Sequence, residues 1–388
     1  MQVPLQVLPS TKQSFFAKRL FDGRSIKNNV RIEVEYSTIT QLITDEKCQQ
    51  VDIVLEGLVV PGFVDLQVNG GGNVLFNSMP TVEGLMAIMA AHVSFGTTAM
   101  LPTIITDTVD VMSAAADAVA QALAERVPGI IGIHFEGPHL SVAKKGAHCA
   151  QFIRYISDDE WQILARQDIG HIMMTIAPET VANADIKRMC DMGIHVCIGH
   201  TNASYQQAQQ AVDAGADGFT HLYNAMSALT SRAPGVVGCA LVNDHTSCGI
   251  IADGHHVDYV SLKIALKSKP KGRVFLVTDA MPPVGTQSTA FNFFDRQVTL
   301  NKGKLTSTTG ELAGSVLDMA TAVRNIHQQV NLSLEESLKM ASLYPSTYLG
   351  MQAKHGHLTL GAQADMVVLN ENLSVEQTWI AGQKITRT

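Results

Sequence analysis

Side chains able to hold a metal or move a proton recur at the ends of short apolar runs along this chain of 388 residues. Glu136 follows the run Ile130–Phe135, His200 follows Ile194–Ile198, His221 closes Gly218–His221, and Asp279 follows Val274–Thr278. One carboxylate and two imidazoles are a ligand set for a divalent cation, and zinc with two His, one acidic ligand and an open water position is a familiar catalytic arrangement. Such a cation lowers the pKa of water enough to give a nucleophile at neutral pH. A neighbouring carboxylate such as Asp279 can take the water's proton and later return it to a leaving group. Taken singly, each His also reads as a satisfied core or surface residue, and Asp279 as a cap on the turn before Pro282 and Pro283. Three ligands and an Asp at separate strand ends favour the metal reading. The spacing is no short-range motif like H-E-x-x-H, so a fold must bring these residues together.

The elements that would do so are eight short apolar runs: Val64–Val68, Thr98–Ile105, Ile130–Phe135, His171–Ile176, Ile194–Ile198, Gly218–His221, Cys248–Ala252 and Val274–Thr278. Ala-rich helical stretches such as Thr81–Phe95, Val111–Arg126 and Ala203–Ala214 lie between them. Strands alternating with helices indicate βα units and a parallel sheet. Eight units predict an α/β fold of the (β/α)8 barrel type, with chemistry at the C-terminal strand ends. A doubly wound sheet is the alternative, but no G-x-G-x-x-G follows the first strand. Those strand ends also carry Gln67-Val68-Asn69, Asn224 and Asp253-Gly254-His255-His256. His134 precedes Glu136 by two residues, so it shares that side of the strand but lies about 6.6 Å deeper, as an interior residue. His195 differs from His200 by an odd number and is expected to pack outward. His148, on the loop after the third run, either reaches over the site or is solvated.

Both chain ends read as strands. Val30–Tyr36 alternates apolar with polar, Val51–Leu55, Met366–Leu369 and Trp379–Ile385 are further runs, and Asp22-Gly23 and Asn28-Asn29 offer turn chemistry. Neither end alone buries much core. The expected organisation is one small β-sandwich from 1–58 plus 358–388 and a catalytic barrel over 59–357. Charged residues are 16% and the net charge is −7, which disfavours general nucleic-acid or anionic-membrane binding. No apolar run reaches the ~20 residues of a membrane helix. No leader is read at the N-terminus, and the six cysteines, Cys48, Cys149, Cys190, Cys197, Cys239 and Cys248, form no C-x-x-C pair. They are expected to be reduced in a cytoplasmic protein.

In order, these residues resemble the amidohydrolase superfamily, and within it the deacetylases of phosphorylated amino sugars. The segments that carry the resemblance are Pro61–Gly70, His134–Pro138, Lys144–His148, Gly199–Ala203, His221–Met226, Ile250–Gly254, Val277–Ala280, Leu312–Ser315 and Leu343–Pro345. The resemblance implies hydrolysis of the acetamide of N-acetylglucosamine 6-phosphate to glucosamine 6-phosphate and acetate. By it Glu136, His200 and His221 bind the metal, Asp279 shuttles the proton and His148 polarises the amide carbonyl. Ala147, Asn224, Ala225, Arg232, Asp253 and His256 would meet the substrate, with Arg232 or His256 supplied by the partner of a homodimer. Leu312, Ala313 and Gly314 would line the acetyl end. Many relatives carry His-x-His where this chain has Gln67-Val68-Asn69. Neutral amides are weaker ligands, so one cation per subunit is expected, with Gln67 and Asn69 near the metal's water. Zinc is the default, and iron, manganese, cobalt or nickel tolerate the same ligands. His139 stands where some relatives have an aromatic residue, and His255 is an unusual further candidate for a metal or phosphate contact. The alternatives are an amidohydrolase acting on a different N-acyl amino sugar or a cyclic amide, or a catalytically silent barrel that binds a phosphosugar.

Overall fold

The computed structural model describes residues 12–44, 51–294, 296–308 and 310–385. All eight predicted runs are strands of one parallel sheet: Phe63–Val68, Thr97–Ile105, Gly132–Glu136, His171–Ile176, His195–Ile198, Gly218–Phe219, Ser247–Ile250 and Val274–Leu276, in that spatial order. A parallel bridge between Val68 and Ala280 joins the last strand's extension to the first and closes the barrel. Thr278 reinforces the seam by donating from its N–H and its hydroxyl to Asp65, at 3.2 and 2.5 Å. The strands are apolar on both faces because side chains fill the barrel and helices cover it. The expected helices form as Val82–Val93, Val109–Ala124 and Tyr205–Asp213, each begun by a hydroxyl cap, Thr81, Thr108 or Ser204, that accepts an otherwise unpaired N–H.

The chain ends meet in a seven-stranded sheet. Its central strand Ile53–Pro61 pairs with Gln13–Phe21 on one side and Met366–Leu369 on the other. Ile26–Glu35 and Thr38–Thr44 extend one edge, Val375–Ile380 and Gln383–Ile385 the other. Period-2 alternation divides its two faces. Val59 and Val368 pack with Phe15, Ile32 and Trp379, whereas Leu58, Val60, Val367 and Leu369 join the barrel's own core. Two local readings change. Trp379–Ile385 is a hairpin that turns at Ala381 and Gly382, both at positive φ. Asn28-Asn29 lies inside a strand and makes no turn. Cys48 lies outside the described residues; the other five cysteines are free.

One element is absent from the sequence reading. Ala290–Phe293, Arg296–Asn301 and Lys304–Ser307 form a small antiparallel sheet after the eighth barrel strand. Phe293, Val298 and Leu305 pack on Leu75, Ile105, Ala147, Met281 and Ala313, which roofs one side of the barrel mouth.

Candidate active site

The third, fifth, sixth and eighth strands deliver their terminal residues to one point. Nε2 of His200 and Nε2 of His221 lie 2.9 Å apart. Both approach the same oxygen, Oε1 of Glu136, at 3.2 and 3.0 Å. The backbone turns sharply to achieve this: His200, His221 and Asp279 all have positive φ, at 46°, 32° and 52°. Non-glycine residues reach that region at a cost, and they cluster where function requires it. Nδ1 of His200 donates to the Lys144 carbonyl at 2.9 Å, which leaves a lone pair on Nε2. Two imidazoles and a carboxylate converging in a buried place fit a divalent cation. Glu136, His148 and His200 also satisfy the spacing of such a site, with ligand atoms within 4.8 Å of one another.

Asp279 stands beside this set. Its Oδ1 accepts from Gln67 Nε2 at 3.1 Å and from Asn69 Nδ2 at 2.6 Å. Gln67 Nε2 also reaches Glu136 Oε1 at 3.1 Å, so one amide ties the two carboxylates together. Burial, and after it the charge of Glu136, push the Asp279 carboxyl up to about 6. Burial acts on Glu136 in the same sense, but His200 and His221 outweigh it and hold that carboxyl well below its ordinary value. His148 is buried and neutral: burial and then neighbouring His200 hold it well below the usual imidazole range. Its Nδ1 is 2.8 Å from the Thr106 hydroxyl, which is nearer than the 3.4 Å from that hydroxyl to the Glu136 carbonyl. Thr106 is thus the hydrogen-bond partner of Nδ1, which orients the ring with Nε2 as its remaining polar atom.

Glu136, His148, His200, His221 and Asp279 line a cavity of about 420 Å³. Of the sequence candidates, Asn69, Ala147, Asn224, Ala225, His256, Leu312, Ala313 and Gly314 line it as well. Gln67 sits just behind. Arg232 and Asp253 do not line it. Arg232 is on an exposed segment, and Asp253 is bonded to His255 and His256. His139 faces away, its Nδ1 on the Arg154 carbonyl, and His255 is exposed with its ring against Gly303 of the small sheet. His134 is inside the barrel, between the Thr103 and Thr175 hydroxyls at 3.2 and 2.8 Å, and burial pushes it down to about 4. His195 points outward to Asp217. The sequence reading missed Thr106, the Lys144 carbonyl, Met281 and Phe293. Thr106 follows the second apolar run Thr98–Ile105 just as Glu136 follows the third, which is the signal that would have found it. Phe293 carries no such signal because it arrives on the added sheet.

A family model described as "Amidohydrolase family" matches residues 58–385. The chain belongs to the amidohydrolase family and is a hydrolase. It is 50% identical over 327 residues to the N-acetylgalactosamine-6-phosphate deacetylase of Shewanella sp. (strain ANA-3), covering 84% of this chain and 83% of that one. It is 33% identical over 380 residues to the N-acetylglucosamine-6-phosphate deacetylase of Vibrio furnissii, covering 96% and 94%. Among solved structures, the Pasteurella multocida N-acetylglucosamine-6-phosphate deacetylase superposes with a TM-score of 0.93 at 32% identity, covering 97% of this chain and 100% of that one. A mutant of the Mycobacterium smegmatis enzyme, in complex with N-acetyl-D-glucosamine-6-phosphate, superposes at 0.90 with 27% identity and the same coverage.

Proposed function

We propose that this protein hydrolyses the acetamide of a 6-phosphorylated N-acetylhexosamine, giving acetate and the free amino-sugar phosphate. The observation that carries the reading is the junction of Glu136, His200 and His221 with Asp279, tied by Gln67 at the floor of one cavity. Glu136, His200 and His221 hold one divalent cation, zinc by default, with iron, manganese, cobalt and nickel as possible occupants. When bound, that cation supplies Lewis acidity, which makes a water nucleophilic at neutral pH and polarises a carbonyl. Asp279 accepts the attacking water's proton at Oδ2, because Gln67 and Asn69 occupy Oδ1. His148 donates from Nε2 to the amide oxygen as negative charge gathers there. Asp279 then returns the proton to the departing amine. Leu312, Ala313 and Gly314, with Met281 and Phe293, suit an acetyl methyl. Asn224, Ala225 and His256 suit the sugar phosphate.

Arg232 is exposed and outside its own chain's cavity. Its proposed destination is the phosphate in a second copy of the chain, in a homodimer. Among the described residues no helix is long and apolar enough to cross a membrane. The proposed location is the cytoplasm. The gluco sugar is the first substrate reading. The galacto epimer is a second, favoured by the 50% identity to the Shewanella enzyme. Acetate release from both 6-phosphates, from both unphosphorylated sugars, and with and without chelator tests the proposal. Chelator-sensitive turnover that prefers a 6-phosphate is the expected result. Turnover of neither phosphate by metal-loaded protein refutes it.

A further inference from the structure

The seventh barrel strand, Ser247–Ile250, leads into Asp253-Gly254-His255-His256 ahead of the helix Tyr259–Ser268. The Asp253 and His256 side chains are only 9% and 7% exposed. Oδ1 of Asp253 accepts the backbone N–H of His255 and of His256, both at 2.8 Å. Oδ2 meets Nδ1 of His256 at 2.7 Å. Gly254 turns the chain at φ +73°, and a Cβ there would meet the Tyr259 ring at 2.8 Å, so the turn is pressed against the following helix. His256 lines the cavity and Asp253 does not.

A turn of this kind needs one carboxylate oxygen, and Oδ1 serves it. Among the described residues Oδ2 has a single partner, the imidazole. Burial alone would push the carboxyl up, but the His256 contact and the two N–H groups hold it below its usual range. A carboxylate on Nδ1 fixes the ring's orientation and sets a negative charge behind it, which favours the ring as a partner for an anion. Asp253 on the ring's own segment and Asp279 are charged groups near it, and Glu136, Lys144 and Glu311 line the same cavity.

We infer that Asp253 is a positioning residue that aims His256 Nε2–H at the phosphate of the substrate. This rests on the phosphosugar reading above. It also replaces direct substrate contact by Asp253 with action through His256.

Asp253→Asn is the test. Its Oδ1 still accepts both backbone N–H groups, so the turn survives. Its Nδ2 donates, so His256 Nδ1 must accept, and the ring keeps Nε2–H without the charge balance. The KM for the 6-phosphorylated sugar should rise about tenfold, the scale of a weakened charge-assisted contact. The kcat should stay within about twofold, as for loss of uniform binding. In a His256→Gln background the same exchange should add nothing further, because its effect runs through that ring. Equal losses on phosphorylated and unphosphorylated sugars, or additive losses with His256→Gln, overturn the inference. If the Asn variant does not fold, Asp253→Glu carries the test. That variant keeps the charge on a longer arm, and an unchanged KM overturns the inference. Wild-type turnover that ignores the phosphate sinks the phosphosugar reading and this inference together. A wild-type phosphate preference kept in full by Asp253→Asn sinks this inference alone.

Discussion

Asp279→Asn separates chemistry from architecture at a single atom. The Asp279 side chain accepts from Gln67 Nε2 and Asn69 Nδ2, both at Oδ1, and from no backbone N–H among the described residues. It does not cap the turn toward Pro282, and Oδ2 is the oxygen left for proton transfer. Asn keeps an oxygen for the two amide donors and puts an NH2 where Oδ2 stood. That group cannot take a proton from water or return one to an amine. General acid–base help is worth about 10²–10⁴-fold, and amide hydrolysis uses it twice, so kcat should fall at least about a hundredfold. Stability should move the other way. Burial and Glu136 raise the carboxyl from 3.8 to about 6, so the fold disfavours its charge. A rise of about two units corresponds to roughly 3 kcal/mol at most, which the neutral Asn recovers in chelator-treated protein. A bound cation opposes the Glu136 effect and shrinks this gain. Acetate release, metal content and melting temperature measured on one preparation decide the matter. A folded, metal-loaded variant with kcat within about threefold of wild type refutes the shuttle role. A clear drop in the melting temperature of the chelated variant refutes the electrostatic argument.

Four further outcomes follow from the same geometry. Metal analysis of active protein should approach one ion per chain, because Gln67 and Asn69 are engaged with Asp279 as amide donors; two ions, both needed for activity, would contradict this. Thr106→Val removes the hydroxyl that holds the His148 ring in place and should cost about five- to tenfold in kcat, the worth of one hydrogen bond, with KM little changed; an unchanged kcat frees His148 from that role. Arg232→Ala should lower kcat/KM by about ten- to a hundredfold on the 6-phosphate alone, and an equal loss on the unphosphorylated sugar argues against a phosphate contact. Burial raises the Asp65 carboxyl from 3.8 to about 7 against its hydrogen bonds from Thr278 and Gln67. The folded state therefore binds that proton more tightly than the unfolded chain, and stability declines as pH rises through this window. Urea midpoints should show that slope in wild type and lose much of it in Asp65→Asn, while an unaltered slope refutes the assignment.

The barrel was legible because its strands are buried on both faces and so read as short apolar runs of the right length. All eight runs became strands, and a polar residue at or shortly past the end of the run marked the chemistry in four of them, at Glu136, His200, His221 and Asp279. Parity along a strand also sorted His134 inward and His195 outward. What stayed hidden is long-range packing. The strands Ala290–Phe293, Arg296–Asn301 and Lys304–Ser307 are short, and their packing on Met281 and Ala313 has no local trace in the sequence. The carbonyl of Lys144 acts on His200 through backbone, which no side-chain pattern encodes.

This division bears on specificity. The groups proposed to move the proton and hold the cation stand at barrel strand ends, held by seam bonds such as that from Thr278 to Asp65. The proposed acetyl end is lined by Phe293, Leu312, Ala313 and Gly314, which come from the added sheet and the segment after it. Gly314 shows how closely the two parts meet: it sits at φ +61°, and a Cβ there would lie 2.4 Å from Met281 Cγ and 2.9 Å from the Asp279 carbonyl. Any side chain at that position must therefore disturb the acyl wall and the backbone of the proton shuttle together. A larger N-acyl group meets the same boundary from the cavity side. Acyl-chain tolerance should therefore respond to changes in Phe293 and Leu312, whereas the chemistry should respond to changes at the strand ends.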